Sequence, residues 1–261
     1  MKRMILACSL ILISATNSLA AIVYDSAGFE AYNLGGLVGQ TGGGTVAWTD
    51  FNPTTGSRFL VQSAVTNGGN RAVSATSTNA IAAFVAPVLN YTPTTGEIVV
   101  IEVDIARTIS GSAQVPSSNG FGIDVYDPAG NRTLGFGLGV SANNAAIVPF
   151  LTVFAAGNAD GATSAINLAV AQNQFVRFRA ELNYATDLFQ LFVNDVDVGG
   201  VHRFVNLASA LGDADLQHDP VVGAADIGYF DNYRISTVPE PSFSIGCIAL
   251  SLSFLRRRRQ V

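Results

Sequence analysis

Two carboxylates on one predicted strand could carry acid–base chemistry. Glu102 and Asp104 are two residues apart in an alternating apolar and polar segment, and such residues project from the same face of a strand. Paired carboxylates serve as nucleophile and acid in glycoside hydrolysis. The next position in this row is Ala106, so a further carboxylate would have to come from another strand. The alternative is that both acids form cross-strand ion pairs with arginines such as Arg177 and Arg179.

Oxygen ligands for a cation occur in a later acidic segment. Asp213, Asp215 and Asp219 could supply carboxylate oxygens to Ca²⁺ on a loop rim. The segment lacks the spacing and the bend glycine of an EF-hand loop, so we predict a solvated acidic loop without metal, with calcium as the alternative. His202 and His218 are far apart and have no third ligand pattern, which argues against zinc. No metal and no other cofactor is therefore predicted.

The single tryptophan, Trp48, lies on a predicted strand. If exposed, its ring could stack on a sugar, and if buried, it belongs to the core. The chain has no Gly-x-Ser-x-Gly elbow, P-loop, His-Glu-x-x-His motif or dinucleotide-binding fingerprint. We therefore predict a protein without catalytic activity.

The N-terminus has the features of a secretory signal peptide. Lys2 and Arg3 precede a ten-residue apolar run that is too short to span a membrane. Small residues, Ser18 and Ala20, occupy the positions that a signal peptidase reads. We expect passage through the Sec translocon and cleavage between Ala20 and Ala21.

The C-terminus combines three features in order. A Pro-Glu-Pro triplet at residues 239–241 is followed by an uncharged stretch of 14 residues, 242–255. As a helix this stretch is about 21 Å long, short of a ~30 Å hydrocarbon core unless flanking arginines snorkel. Such arginines stay on the cytoplasmic side of a membrane. A basic cluster follows, formed by Arg256, Arg257, Arg258 and Arg259.

These final residues, 238–261, resemble the PEP-CTERM sorting signal of Gram-negative bacteria. In that family an exosortase recognises the triplet and removes the tail. The resemblance implies that Pro239, Glu240 and Pro241 are recognition residues, that 242–255 is a transient transmembrane segment and that the arginine cluster stops transfer. It also implies export across the inner membrane, transient anchoring there, and a final place at the cell surface or in the extracellular matrix.

The intervening residues, 21–237, alternate apolar and polar positions between turn-forming clusters. Such alternation predicts strands, and this many in one unit predicts an all-β jelly-roll sandwich of two sheets. Residues 206–211 are expected to form one short helix, and helices are also expected in the signal peptide and in the tail. The predicted strands are 22–25, 46–51, 58–65, 80–85, 97–108, 120–126, 133–140, 147–154, 175–183, 188–193 and 226–236.

Three segments of this body are similar to laminin-G-like domains of the concanavalin-A-like fold. They are residues 32–40 with Trp48 shortly after, the strand–hairpin–strand unit 175–197, and the closing segment 229–235. The resemblance implies one sandwich domain over 21–237, between a signal peptide at 1–20 and a sorting tail at 238–261.

The charge pattern limits the partners. The formal net charge is −5 although basic residues cluster at both ends, so the body is strongly acidic and nucleic acid is excluded as a partner. The sequence predicts an exported, exosortase-sorted, non-catalytic sandwich that binds exopolysaccharide. The alternatives are a passive structural protein of the surface or matrix, and a glycan-active hydrolase.

Overall fold

A computed structural model gives the fold over most of the predicted sandwich. It describes residues 20–52, 58–76, 82–109, 120–140, 146–153, 162–204, 208–218 and 226–240. The predicted helices of the signal peptide and the tail lie outside these residues. Within them, no helix is long and apolar enough to cross a membrane.

The described residues form a sandwich of two antiparallel sheets, which confirms the all-β prediction. The first sheet contains β1 (Ala21–Asp25), β2 (Gly35–Gly36), β4 (Phe59–Gln62), β5 (Ala72–Thr76), β7 (Glu97–Thr108), β12 (Val176–Asn183), β13 (Leu188–Val193), β14 (Val196–Arg203) and β16 (Ile227–Pro239). The second contains β3 (Trp48–Asp50), β6 (Ala83–Pro87), β8 (Phe121–Tyr126), β9 (Arg132–Val140), β10 (Ile147–Val153), β11 (Ala162–Ala165) and β15 (Asp213–His218). A 3-10 turn, Ala27–Phe29, follows β1.

Long-range pairing sets the strand order. The first sheet runs β14-β13-β12-β7-β16-β5-β4-β2, with β1 also paired to β16, and the second runs β11-β10-β9-β8-β15-β6-β3. Strand β15 therefore lies in the middle of the second sheet, between β8 and β6, although it comes late in the chain. This position brings its side chains beside residues from distant segments.

Alternation along the central strands builds the core. On β7, Val99, Ile101, Val103 and Ile105 are almost fully buried. The alternate apolar residues of β8 and β12 are buried as well, namely Phe121, Ile123, Val125, Val176, Phe178, Ala180 and Leu182. Because successive side chains point to opposite faces, the intervening residues of β7 form part of the outer face of the first sheet.

Five strands, β2, β5, β11, β14 and β15, were not predicted, and one predicted helix is wrong. Strands β5, β14 and β15 carry small, glycine or acidic residues at alternate positions, which weakens their apolar period. The described part of the predicted helix, 208–211, is a bend ending in a bridge between Leu211 and Tyr91. Strand β16 continues to Pro239, where the sequence predicted a break.

A buried arginine joins the two sheets. Arg107, on β7, is fully buried, and its Nη2 lies 2.6 Å from Oδ2 of the equally buried Asp226. Its Nη1 donates to the carbonyl of Leu138 on β9 at 3.2 Å, and its guanidinium lies over the Phe121 ring. These contacts satisfy a charge that would otherwise be costly to bury.

Candidate functional site

The outer face of the second sheet carries an unusual row of polar residues along β15. Asp213, Asp215 and Gln217 lie on the face opposite to the core residues Ala214 and Leu216. Of the three, Asp215 and Gln217 are buried although they point away from the core.

Strand register places further polar groups beside this row. Asp215 is directly opposite Asp124 of β8, and Asp213 is opposite Tyr126. On the other side of β15, Gln217 is opposite Phe84 of β6. Three carboxylates and two aromatic rings from three strands therefore meet on one surface.

A cleft of about 290 Å³ opens over this surface. We call it the acid cleft, and its lining among the described residues consists of Phe51, Phe84, Tyr126, Gly130, Asp213 and Asp215. Phe51 is 45% exposed, so one aromatic ring is presented at the mouth of the cleft. Aromatic walls beside carboxylates are the combination that stacks on sugar rings and accepts hydrogen bonds from their hydroxyls.

The hairpin between β8 and β9 shapes one side of the cleft. Asp127 Oδ1 accepts hydrogen bonds from the backbone N–H of Ala129 (2.9 Å) and Asn131 (2.8 Å), which closes the predicted turn. Gly130 has φ of +80°, a value that favours glycine. The turn thereby brings Gly130 to the cleft without a side chain.

Arg132, on β9, fixes the polar groups at the side of the cleft. Its Nη2 forms an ion pair with Asp124, and its Nε donates to the Tyr126 hydroxyl at 2.8 Å. Its guanidinium lies 5.4 Å from the centroid of the Phe84 ring and 5.8 Å from that of Tyr126. One cation thus binds a buried carboxylate and packs against two of the lining rings.

Asp213 and Asp215 have pKa values above the usual range of aspartate. Burial raises the pKa of Asp213 to about 6. Burial, followed by the neighbouring charge of Asp213 and a hydrogen bond to it, raises the pKa of Asp215 well above its usual range. Near neutral pH, Asp213 is therefore largely ionised, while the pKa of Asp215 is shifted upward by its burial.

The two carboxylates predicted on β7 form a different site. Glu102 and Asp104 share the outer face of the first sheet, as predicted, beside a cavity of about 400 Å³. Glu102 pairs with Arg177 at 2.9 Å, which confirms that part of the ion-pair alternative. Asp104 instead accepts hydrogen bonds from the side-chain amides of Asn67 (2.8 Å) and Asn232 (2.7 Å).

Arg179 does not pair with either predicted acid. Its Nη1 pairs with Glu181 on its own strand, and its guanidinium lies 3.9 Å from the centroid of the Phe192 ring. The structure thus places Glu102 and Asp104 in a network of structural contacts, where each acid already has a partner.

Trp48 does not face solvent, which confirms that it belongs to the core and excludes the alternative of a glycan contact. Its side chain is 1% exposed, and its Nε1 donates to the Tyr32 hydroxyl at 3.2 Å. It packs against the rings of Tyr24, Phe29 and Tyr233. A ring on the core side of β3 is surrounded by both sheets and cannot stack on a sugar.

The structure describes two of the three predicted calcium ligands. Asp213 and Asp215 lie on strand β15 and not on a loop, and Asp219 lies outside the described residues. Among the residues that the structure describes, no three His, Cys, Asp or Glu side chains are grouped to hold a metal ion. His218 is fully buried between the rings of Phe59 and Phe121.

The predicted processing points lie near the edges of the described domain. Strand β1 begins at Ala21, and β16 ends at Pro239. Glu240 accepts a hydrogen bond from Asn183 Nδ2 at 2.7 Å. Pro241 and Arg256, Arg257, Arg258 and Arg259 lie outside the described residues.

The acid cleft was missed because its parts are far apart in the chain. Asp124 and Tyr126 alternate with apolar residues in the predicted strand 120–126, but Phe51, Phe84 and Arg132 carried no signal of their own. The available signal was the alternation of Asp213, Asp215 and Gln217 with inward-facing neighbours on the same strand.

Comparisons with known proteins agree on the fold. No family model and no curated relative matches the chain. Among solved structures, the chain is similar to the alginate lyase AlyC3 (TM-score 0.52, 10% identity, covering 69% of this chain and 78% of the lyase). It is also similar to the cellulose-induced protein Cip1 (TM-score 0.50, 14% identity, 73% and 90% covered). A sialidase matches with a TM-score of 0.46 and 12% identity, and the match covers 74% of this chain but only 17% of the sialidase.

These likenesses correct one prediction. The sequence predicted a sandwich without catalytic activity, but an alginate lyase shares this fold. The fold therefore gives no ground for excluding catalysis, and the prediction of a non-enzyme is contradicted.

The raised pKa values predict how stability changes with pH. A carboxyl whose pKa is higher in the folded than in the unfolded chain stabilises the fold at low pH, and this contribution is lost as pH rises through the folded pKa. Asp213 and Asp231 both have folded pKa values of about 6, for which burial is the main cause. We expect the unfolding midpoint to fall by several degrees between pH 4.5 and 7.5, since ~1 kcal/mol shifts it by ~2–4 °C at this size.

Thermal unfolding followed by circular dichroism measures this shift. Carboxyls with lowered pKa values, such as Glu97 and Asp197, act in the opposite direction, and their effect is confined to the acidic end of this window, where the unfolded carboxyls ionise. Asp213→Asn should flatten the profile, whereas Asp195→Asn, at an exposed turn, should leave it unchanged. A midpoint that is constant or rises over the window would contradict the assignment.

Proposed function

We propose that the protein is an exported glycan-binding β-sandwich and that the acid cleft is its binding site. The proposal rests on the observation that one open cleft is lined by both aromatic rings and carboxylates. The rings are Phe51, Phe84 and Tyr126, and the carboxylates are Asp213 and Asp215. Aromatic faces and hydroxyl-accepting carboxylates are what sugar rings require. Solved structures of similar fold include an alginate lyase and a cellulose-induced protein, which supports a carbohydrate ligand. The laminin-G-like assignment of the domain belongs to the same proposal.

The exposed aromatic at the cleft mouth provides the most direct test. Phe51→Ala should weaken retention by the producer's exopolysaccharide by about tenfold, since a stacked ring loses ~1–2 kcal/mol of apolar contact. Affinity electrophoresis with the polysaccharide in the gel measures the change.

Leu60 supplies a matched control for this variant. It is also 45% exposed but lies on β4 of the first sheet. Leu60→Ala should therefore be retained like the wild type. Equal retention of the Phe51 and Leu60 variants would remove the acid cleft from the proposal.

Export and sorting complete the proposal. A signal peptide cleaved before Ala21 and a tail read at Pro239, Glu240 and Pro241 by an exosortase would leave the sandwich outside the inner membrane. The bounds of two strands support these processing points, because β1 begins at Ala21 and β16 ends at Pro239.

Replacing Pro239, Glu240 and Pro241 by alanine should leave unprocessed protein in the inner membrane. Immunoblots of membrane and extracellular fractions measure the outcome. Asn183→Ala is the control, because it removes the hydrogen bond to Glu240 while the triplet stays intact. Normal tail removal in the triple variant would reject the sorting signal.

A further inference from the structure

Two buried acceptors beside the acid cleft have no hydrogen-bond donor among the described residues. Asp215 is 3% exposed and Gln217 is 2% exposed. Neither Asp215 Oδ1 nor Gln217 Oε1 has a hydrogen-bond partner in the part of the chain that the structure describes. Both lie on the outward row of β15. Because a buried acceptor without a donor costs free energy, this row is suited to a ligand that donates hydrogen bonds.

The charges around this row are negative on nearly every side. Asp124 faces Asp215 from β8, and Asp213 is its neighbour on β15. Asp127, in the adjacent hairpin, adds to the negative charge felt by Asp213. Arg132, from β9, is engaged by Asp124 and Tyr126. Among the described residues that line the cleft, there is no arginine or lysine to receive a ligand carboxylate.

We infer that the acid cleft selects uncharged, hydroxyl-rich glycans over glycans that carry uronate carboxylates, and that Asp213 and Asp215 impose this selection. The inference rests on the proposed glycan-binding function and names the ligand class of that site. A sugar hydroxyl can donate to Asp215 Oδ1. An ionised uronate has no proton to donate there, and it places a like charge against Asp213 and Asp124.

Matched polymers separate charge from backbone shape. Three polyuronates of different backbone are each compared with the same polymer after its carboxylates are reduced to primary alcohols. Retention of the purified wild-type protein is measured by affinity electrophoresis at pH 7. For each polymer that retains the protein, we expect the reduced form to bind at least tenfold more strongly than the native polyuronate.

Removing the carboxylates tests the residues. Asp213→Asn combined with Asp215→Asn should narrow the preference for the reduced polymer to within about threefold, because the charge of Asp213 is gone, both side-chain shapes are kept, and Asp124 remains paired with Arg132. Asp195→Asn, an exposed acid away from the cleft, should keep the full preference. If the double variant does not fold, the same test uses the wild type at rising salt, where screening should narrow the preference.

The outcomes distinguish this inference from the proposal beneath it. Equal retention of native and reduced polymers by the wild type overturns the selection, and so does a full preference in the folded double variant. A preference that salt leaves unchanged also overturns it. Absence of retention by every polymer overturns the glycan-binding function itself. If Phe51→Ala weakens retention but the native and reduced polymers are retained equally, the glycan-binding function stands and only the selection is rejected.

Discussion

Asp124 and Asp215 face each other across neighbouring strands, and both are buried. Two ionised carboxylates in such a position repel each other, and a third acid, Asp213, lies beside them. The structure meets this constraint in two ways. Arg132 forms an ion pair with Asp124, and burial raises the pKa of Asp215. The course of Arg132 over the Phe84 and Tyr126 rings follows from the same requirement, because the arginine must reach Asp124.

The fold supplies the stiffness that this arrangement needs. Strand β15 is held on both sides, by β8 and β6, and its inward residues Ala214 and Leu216 are fully buried in the core. A side chain on a central strand has little freedom to move away from its neighbours. The repulsion from Asp213 and Asp124 therefore raises the pKa of Asp215 and does not displace the side chains. This is why the acid cleft can be both charged and well defined.

The sequence predicted those parts of the structure that depend on local pattern. The alternation of strong apolar residues on β7 and β12 identified the strands and their inward faces, because Val, Ile and Phe at every second position leave one interpretation. Strand β15 was taken for an acidic loop, since Asp213 and Asp215 hid the period set by Ala214 and Leu216. Trp48 could not be placed, because whether a ring on a strand is buried depends on the sheet that covers it. The acid cleft itself depends on register between segments far apart in the chain, which composition and spacing do not determine.

Hydroxyl-radical footprinting with a bound neutral oligosaccharide tests most directly whether the second sheet carries the binding surface. Side chains covered by the sugar are oxidised more slowly, so each aromatic ring reports on its own surface. The account predicts protection of Phe51, Phe84 and Tyr126 at the acid cleft, with no change at Phe192 on the first sheet. Protection of Phe192, with Phe51 and Phe84 oxidised at their free rates, would place the glycan on the opposite face and contradict the account.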